Sequence, residues 1–474
     1  MTDLAQRVAA RIAPPRPSFD HVAEIVRDWY HAIDGELHIG GVPVGKIAEE
    51  FGTPAYIYSE DVLDRKWAAF QSALPAEFEV HYSIKANPHQ AFLRYFLERG
   101  CGLEIASGGE LFQALAAGSP GERIIFAGPA KTDDDLAAAL DAGVGEIHVE
   151  SLRELARLNA LAANRQGEHS VRRVAVALRI NADSEAEGGA MRMGGRATPF
   201  GIDESLLPEA VGLLRDLPHL VLHGVHLFTG TQILDATVFE RQYRTALRIA
   251  RKVADLAGEP LRTIDFGGGL GVPYFPHEQP LDLRRFGEVL AGIADEARRD
   301  PRLSEARLVL EPGRFLVAEA GIYLARVLDV KRSRETTFAI LDGGMHHHLA
   351  ASGNLGQSVK RNYPIALAGR LGESPHGPVE LAGPLCAPLD VLGRGVHLPA
   401  VAAGDLVAVF QSGAYGRSAS PLGFLSHPVP PEDWVANGAC RLIRRRGEHG
   451  DLLAGTMNAG NVPVSDVESG TPGE

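Results

Sequence analysis

Apolar and polar positions follow two textures along this chain. From about residue 79 to about residue 314, short apolar runs take turns with longer Ala/Leu/Arg-rich stretches of helical periodicity. Eight runs read as strands: EVHYSIKAN (79–87), GLEIAS (102–107), RIIFAG (123–128), EIHVES (146–151), VAVALRIN (174–181), LVLHGVHLF (220–228), TIDFGGG (263–269) and RLVLEPGR (307–314). Between them, stretches such as GGELFQALAAG and SLRELARLNALAANRQ carry the helical period. Eight strand–helix units over roughly 250 residues predict a (β/α)8 TIM barrel. A doubly wound sheet would need fewer strands and would place its sites differently. After about residue 320 the runs VLDVKRS, TTFAILDGG, PVELAGPLCAPLDVL and DLVAVFQSGAY are separated by Gly, Pro and polar turns, which predicts a C-terminal all-β domain.

Ahead of the barrel, a short helix, a Pro-rich break and a second helix are expected over the first thirty or so residues. GELHIGGVPVGKIAEEFGTPAYIYS then reads as a hairpin, a helix and a strand. The expected organisation is an N-terminal extension at 1–54 that joins the β domain, a barrel at 55–320, a β-sandwich or barrel at 321–464 and a disordered tail at 465–474.

Composition narrows the function classes. Of 474 residues, 47 are Lys or Arg and 60 are Asp or Glu, a net charge of −13. That balance argues against a nucleic-acid or anionic-membrane partner. Three scattered cysteines, Cys101, Cys386 and Cys440, form no C-x-x-C pair, which disfavours both a disulfide framework and a zinc knuckle. The N-terminal stretch has no apolar core of signal-peptide length, and no apolar run is long enough to span a bilayer. A cytoplasmic protein is expected.

Barrel chemistry gathers at the C-terminal ends of strands, and polar residues stand there where a core would not take them. Lys85 ends the first run; at a strand end it is either a snorkelling amine or a desolvated nucleophile for Schiff-base chemistry. His226, followed by Gly230, Thr231 and Gln232, ends the sixth; its ring packs in the core or stacks on a planar ligand. Gly267, Gly268, Gly269 and Gly271 follow the seventh and allow backbone to approach an anion. Glu311 and Arg314 close the eighth, either as an internal ion pair or as partners of a ring nitrogen and a phosphate. In the β region, Cys386 and Asp390 share a Gly/Pro-rich loop, and Tyr415 sits in a Gly-flanked turn. The GGMHHH run (343–348) reads as a solvated or substrate-contacting loop and not as a metal site, because adjacent histidines cannot all face one ion.

The order of these motifs resembles that of the fold-type III pyridoxal 5'-phosphate (PLP) decarboxylases. That group contains diaminopimelate and eukaryotic-type ornithine decarboxylases and has an alanine racemase-like barrel. The resemblance covers roughly residues 35 to 430. Within the group, IIFAGPAKTDDDL, EIHVESLRELARLNAL, MRMGGRATPFGID, AILDGGMHHHLAASGN, GPLCAPLD and SGAYGRSASPLGFLSHP resemble one branch. That branch includes a carrier-protein-linked glutamyl decarboxylase, exosortase-associated decarboxylases and a siderophore-pathway decarboxylase.

Position by position, the resemblance implies that Lys85 carries PLP, His226 stacks on the ring and Glu311 pairs with the pyridinium nitrogen. It implies that Gly268, Gly269, Arg314 and Tyr415 hold the phosphate, while Ser107, Arg179 and Thr231 line the pocket. Cys386 would come from the second subunit of a homodimer with shared active sites and protonate Cα; Asp390 and His346 would meet substrate. The implied reaction is loss of CO2 from an amino acid or an aminoacyl conjugate. Ala387 follows the cysteine where ornithine-type enzymes have an acidic residue and diaminopimelate-type enzymes a glutamate, which disfavours both free diamino acids. A racemase of the same barrel is disfavoured by Glu311, since the resembling racemases place arginine at the ring nitrogen. A non-catalytic PLP-binding regulator is disfavoured by the joint presence of Lys85, Glu311 and Cys386.

Overall fold

The computed structural model describes residues 21–165, 173–183, 191–192, 197–228, 230–357 and 359–456. The first expected helix, the tail at 465–474 and part of the MRMGGRATPFGID stretch lie outside the described residues.

All eight expected strands form: β1 Phe78–Ser83, β2 Gly102–Ile105, β3 Ile124–Phe126, β4 Glu146–Val149, β5 Val174–Asn181, β6 Leu220–His226, β7 Thr263–Asp265 and β8 Arg307–Leu310. Each pairs in parallel with the next, and β8 pairs with β1, so the sheet closes. Strands of this kind are covered on both faces and are therefore rich in Val, Ile and Leu. Several expected runs were longer than the observed strands because their last residues leave the ladder and form the mouth. Side-chain caps start the covering helices just after the strands: Ser107 for Gly108–Ala116, Thr132 for Asp133–Asp141 and Asp235 for Ala236–Ala257. The helix Ala236–Ala257 buries Phe239, Tyr243, Ala246, Leu247, Ala250 and Val253, a stripe at three- and four-residue spacing. No described helix is long and apolar enough to cross a membrane.

The second sheet has nine strands. Its spine is the long strand Gly321–Ser333, which leaves the barrel after β8 and pairs antiparallel with Thr336–Leu341 and Leu406–Val409. The strand Ala55–Ser59, expected at the head of the barrel, belongs instead to this sheet. It lies antiparallel to Gly321–Ser333 and parallel to Glu432–Ala436. Burial on every residue of Ala55–Ser59 accounts for the difference, since all five positions are enclosed by the sheet and the layers against it. The chain thus enters the β-rich region before it enters the barrel and returns to it afterwards.

The GGMHHH run is not solvated. His346, His347 and His348 are 0, 1 and 0 % exposed. Tyr56 donates to the His347 carbonyl at 2.6 Å, and His348 Nε2 lies 2.9 Å from Ser412 Oγ. The His346 ring lies 3.7 Å from that of His347 and 4.9 Å from that of His427. The run turns inward because its rings pack as aromatic surface among Tyr56, Tyr323 and Tyr363. His346 is thus buried within the chain, between the rings of His347 and His427.

Asp390 is buried as well. It is 3 % exposed; its Oδ1 accepts from the Met345 amide at 2.6 Å and its Oδ2 from the Leu385 amide at 2.8 Å. Both oxygens are thus used to tie the histidine turn to the cysteine loop.

Burial pushes the imidazole of His346 down to about 4 and that of His348 to about 3. In the unfolded chain these rings titrate near about 6.5. The unfolded state therefore binds more protons below that pH, and folded stability falls as pH drops through the window from about 6.5 to about 4. Urea unfolding should show a lower midpoint at about pH 5 than at about pH 7.5, and His346→Phe should shallow that slope. Equal midpoints at both pH values would contradict the burial of neutral histidines.

Candidate active site

β1 ends at Ser83, and a single 3-10 turn, Ile84–Ala86, carries Lys85 out of the ladder. Its side chain is 45 % exposed, pointing into the open end of the barrel. The Lys85 Nζ lies 3.0 and 2.8 Å from the two oxygens of Glu104, a residue buried on β2. Ser83 Oγ donates to Glu104 Oε2 at 2.5 Å. The surrounding protein opposes charge on Lys85, but Glu104 first, then Tyr415 and Glu311, outweigh it and hold the ammonium above the ordinary lysine value.

Glu311 follows β8, and its amide donates to the Gly267 carbonyl at 2.9 Å. Its Oε2 is 3.5 Å from His226 Nε2, while its Oε1 has no hydrogen-bond partner among the described residues. Burial alone would raise this carboxyl; His226, His148 and Lys85 overcome that and hold it well below the usual range. His226 ends β6, is 2 % exposed and leaves both ring nitrogens unpartnered among the described residues. Burial lowers its imidazole against the pull of Glu311, so the ring is neutral.

The glycines after β7 bring backbone close together. Gly267 and Gly269 have φ of +67° and +99°. A Cβ on Gly268 would lie 2.2 Å from the Glu311 carbonyl oxygen, and one on Gly269 would lie 2.6 Å from that of Gly230. Arg314 opens the segment beyond Glu311. Its NH1 donates to Tyr274 Oη at 3.2 Å, its guanidinium stands 4.5 Å from the Tyr415 ring, and its Nε is unpartnered among the described residues. Tyr415 comes from the β-rich region in a left-handed conformation, φ +52°, and its amide donates to the Ala86 carbonyl at 2.8 Å. A tyrosine held at positive φ is a strained element that the surroundings must fix. Thr231 and Arg314 share the wall of a cavity of about 430 Å³ with Tyr274, Phe275, Arg361 and Tyr363.

Other expected residues are engaged elsewhere. Arg179, 7 % exposed, gives NH1 to Glu150 at 2.6 Å and lies over the Phe200 ring. Ser107 caps its helix by accepting from the Glu110 amide at 3.2 Å. Cys386 is a free thiol, exposed on the loop that follows the strand Gly377–Ala382. Glu104, His148, Asp265 and Tyr274 were not among the expected site residues. Three of them carried a readable signal, a charged or titratable side chain inside a strand that is otherwise apolar; Tyr274 carried none.

The arrangement offers one amine at an open mouth, one ionised carboxylate with a free oxygen, one neutral aromatic wall and a glycine cradle beside an arginine. The unpartnered atoms of Glu311, His226 and Arg314 fit a protonated ring nitrogen, the ring itself and a phosphate.

Comparison with known proteins agrees with this chemistry. Residues 60–318 match the family model described as pyridoxal-dependent decarboxylase, pyridoxal binding domain. The chain is 38% identical over 421 residues to the L-glutamyl-[BtrI acyl-carrier protein] decarboxylase of Niallia circulans, covering 88% of this chain and 97% of that one. It is 32% identical to the 2-[(L-alanin-3-ylcarbamoyl)methyl]-2-hydroxybutanedioate decarboxylase of Staphylococcus aureus, covering 79% and 92%. The crystal structure of diaminopimelate decarboxylase from M. jannaschii superposes with a TM-score of 0.82 at 28% identity, covering 92% and 99%.

Gly268→Ala places a methyl group against the Glu311 carbonyl, and overpacking of this kind costs about 1–3 kcal/mol. The variant should melt lower and retain less pyridoxal phosphate after dialysis. Wild-type melting and retention would show that the close approach is dispensable.

Proposed function

The chain belongs to the pyridoxal-dependent decarboxylases, and from that premise we propose that it removes CO2 from an amino acid presented as a conjugate, carrier-linked or citrate-linked. The observation that carries the reading is the mouth itself: Lys85, Glu311 and Arg314 bring an amine, a free carboxylate oxygen and a free guanidinium nitrogen around the neutral His226 ring.

When bound, pyridoxal phosphate supplies an electron sink for the pair left at Cα as CO2 departs. Lys85 is the amine that would hold the cofactor, at the open end of the barrel beside Glu104. Glu311 keeps a proton on the ring nitrogen, as only an ionised buried carboxylate can. His226 closes one wall of the ring site. Gly268, Gly269, Arg314 and Tyr415 meet the phosphate, with Thr231, Arg179 and Ser107 shaping the surround. Cys386, exposed on its own chain, protonates Cα across the interface of a homodimer with shared sites. The net charge of −13 supports a small-molecule or carrier-protein partner over nucleic acid.

The cavity beside Arg314 supports a large substrate. Its walls are mostly apolar or amide: Phe275, Leu355, Val359 and Tyr363, with Gln232 and Gln357. Its charged groups besides Arg314 are Glu278 and Arg361, the latter stacked 3.5 Å from the Phe275 ring centroid and 2.9 Å from His277 Nε2. A long neutral arm ending in a single anion suits this lining better than a cluster of carboxylates, which favours the carrier-linked form.

Purified PLP-loaded protein should be offered lysine, ornithine, diaminopimelate, glutamate, a citryl-diaminopropionate conjugate and a glutamyl-loaded carrier protein, with CO2 loss followed by mass spectrometry. Loss from a conjugate and not from the free amino acids is expected. Turnover of a free diamino acid would overturn the conjugate reading.

A further inference from the structure

Beneath the mouth, the barrel interior holds a second tier of titratable side chains that no substrate-facing role uses. Glu146 and His148 lie on β4 and Asp265 on β7, at 1, 0 and 0 % exposure. Above them stand His226 and Glu311. Buried carboxylates are costly unless charge or hydrogen bonds compensate them, and here three share one small volume with two imidazoles.

The links run in sequence from the base of the barrel to its mouth. Glu146 Oε2 accepts from Thr263 Oγ1 at 2.8 Å, with His223 Nδ1 at 3.4 Å and Arg307 NH2 at 3.7 Å. Glu146 Oε1 is 3.1 Å from His148 Nε2, which in turn stands 3.9 Å from Asp265 Oδ2. The rings of His148 and His226 are 4.6 Å apart, and one atom each of His148, His226 and Glu311 lie within 4.8 Å of one another. Asp265 uses Oδ1 to accept from the Gly267 amide at 2.7 Å, and its Oδ2 has no partner among the described residues. The backbone of His148 is fixed as well, because Lys131 Nζ donates to its carbonyl at 2.7 Å. The side chains of this tier stand on strands, so they have little freedom to rearrange.

Asp265 and Glu311 repel each other as anions. Burial and the Glu311 charge raise Asp265 well above the usual range, while the imidazoles hold Glu311 down. His148 is the group that touches both halves of the problem. Its Nε2 faces both Glu146 and Asp265, and its ring packs on that of His226.

We propose that His148 is a positioning residue for the reaction: clasped by Glu146, it fixes the His226 ring beside Glu311, so that the Glu311 carboxylate is held to serve the cofactor's ring nitrogen. The inference rests on the reading of Glu311 given above and deepens it. Glu146, Asp265, His226 and Glu311 lie around the His148 ring, Lys131 meets only its carbonyl, and Arg179, paired with Glu150, bears on His226 through its charge.

The test uses full-length protein reconstituted with pyridoxal phosphate and needs no substrate. Absorbance of the bound cofactor is followed against pH for the wild type, His148→Asn and Glu146→Gln, together with the dissociation constant of pyridoxal phosphate and the melting temperature. His148→Asn should move the titration of the bound chromophore by about one pH unit or more and weaken cofactor binding about tenfold. Glu146→Gln, which leaves the imidazole in place, should shift the titration in the same direction by less. It also keeps the test open if His148→Asn does not fold. A drop in melting temperature with an unchanged chromophore titration in the variants that fold would assign His148 to packing and overturn the proposal. Failure of the wild type to release CO2 from any compound would overturn the decarboxylase reading and leave this titration interpretable.

Discussion

A carboxylate buried in the wall of a parallel barrel stays ionised only beside a cation or a donor. The mouth of this barrel is built around that constraint. Glu104 is met by Lys85 and Ser83, Glu150 by Arg179, and Glu146 by His148 and Thr263. Glu311, like Asp265 below it, is less fully met. His226 lies 3.5 Å from one of its oxygens, and the other oxygen is left with no partner among the described residues. A buried acceptor without a donor is costly unless a further donor reaches it, and that is the place the proposed function gives a protonated ring nitrogen.

The β-rich region completes the site and does more than attach to it. Tyr415 reaches the mouth through the hydrogen bond its amide donates to the carbonyl of Ala86, the residue after Lys85, and brings its ring beside Arg314. That contact depends on the long strand Gly321–Ser333, which anchors both the sheet and the exit from β8. Asp390 and the buried histidines hold the cysteine loop against the same sheet. Barrel and sheet therefore share one site, and disturbing the sheet disturbs the anion cradle.

Much of this was legible in the sequence, for a physical reason. Parallel strands write near-continuous apolar runs, so polar intruders at their ends stand out: Lys85, His226, the glycine triplet and Glu311 were found that way. The same rule pointed at Glu104, His148 and Asp265, but mid-strand charges say nothing of which neighbours they meet across the barrel. Ala55–Ser59 misled because a fully buried strand reads alike in either sheet. The inward turn of His346–His348 is not written in their polarity, because histidine rings pack as aromatic surface when neutral, and a carboxylate such as Asp390 can be consumed by backbone amides.

The most direct measurement locates the cofactor on the chain. The sequence has seven lysines, of which Lys66 and Lys131 are buried against Glu319 and Glu154. Protein loaded with pyridoxal phosphate is reduced with borohydride, digested and mapped by mass spectrometry. The account predicts the added pyridoxyl mass on the peptide containing Lys85 and on no other. Labelling of a different lysine, with Lys85 unmodified, would contradict it.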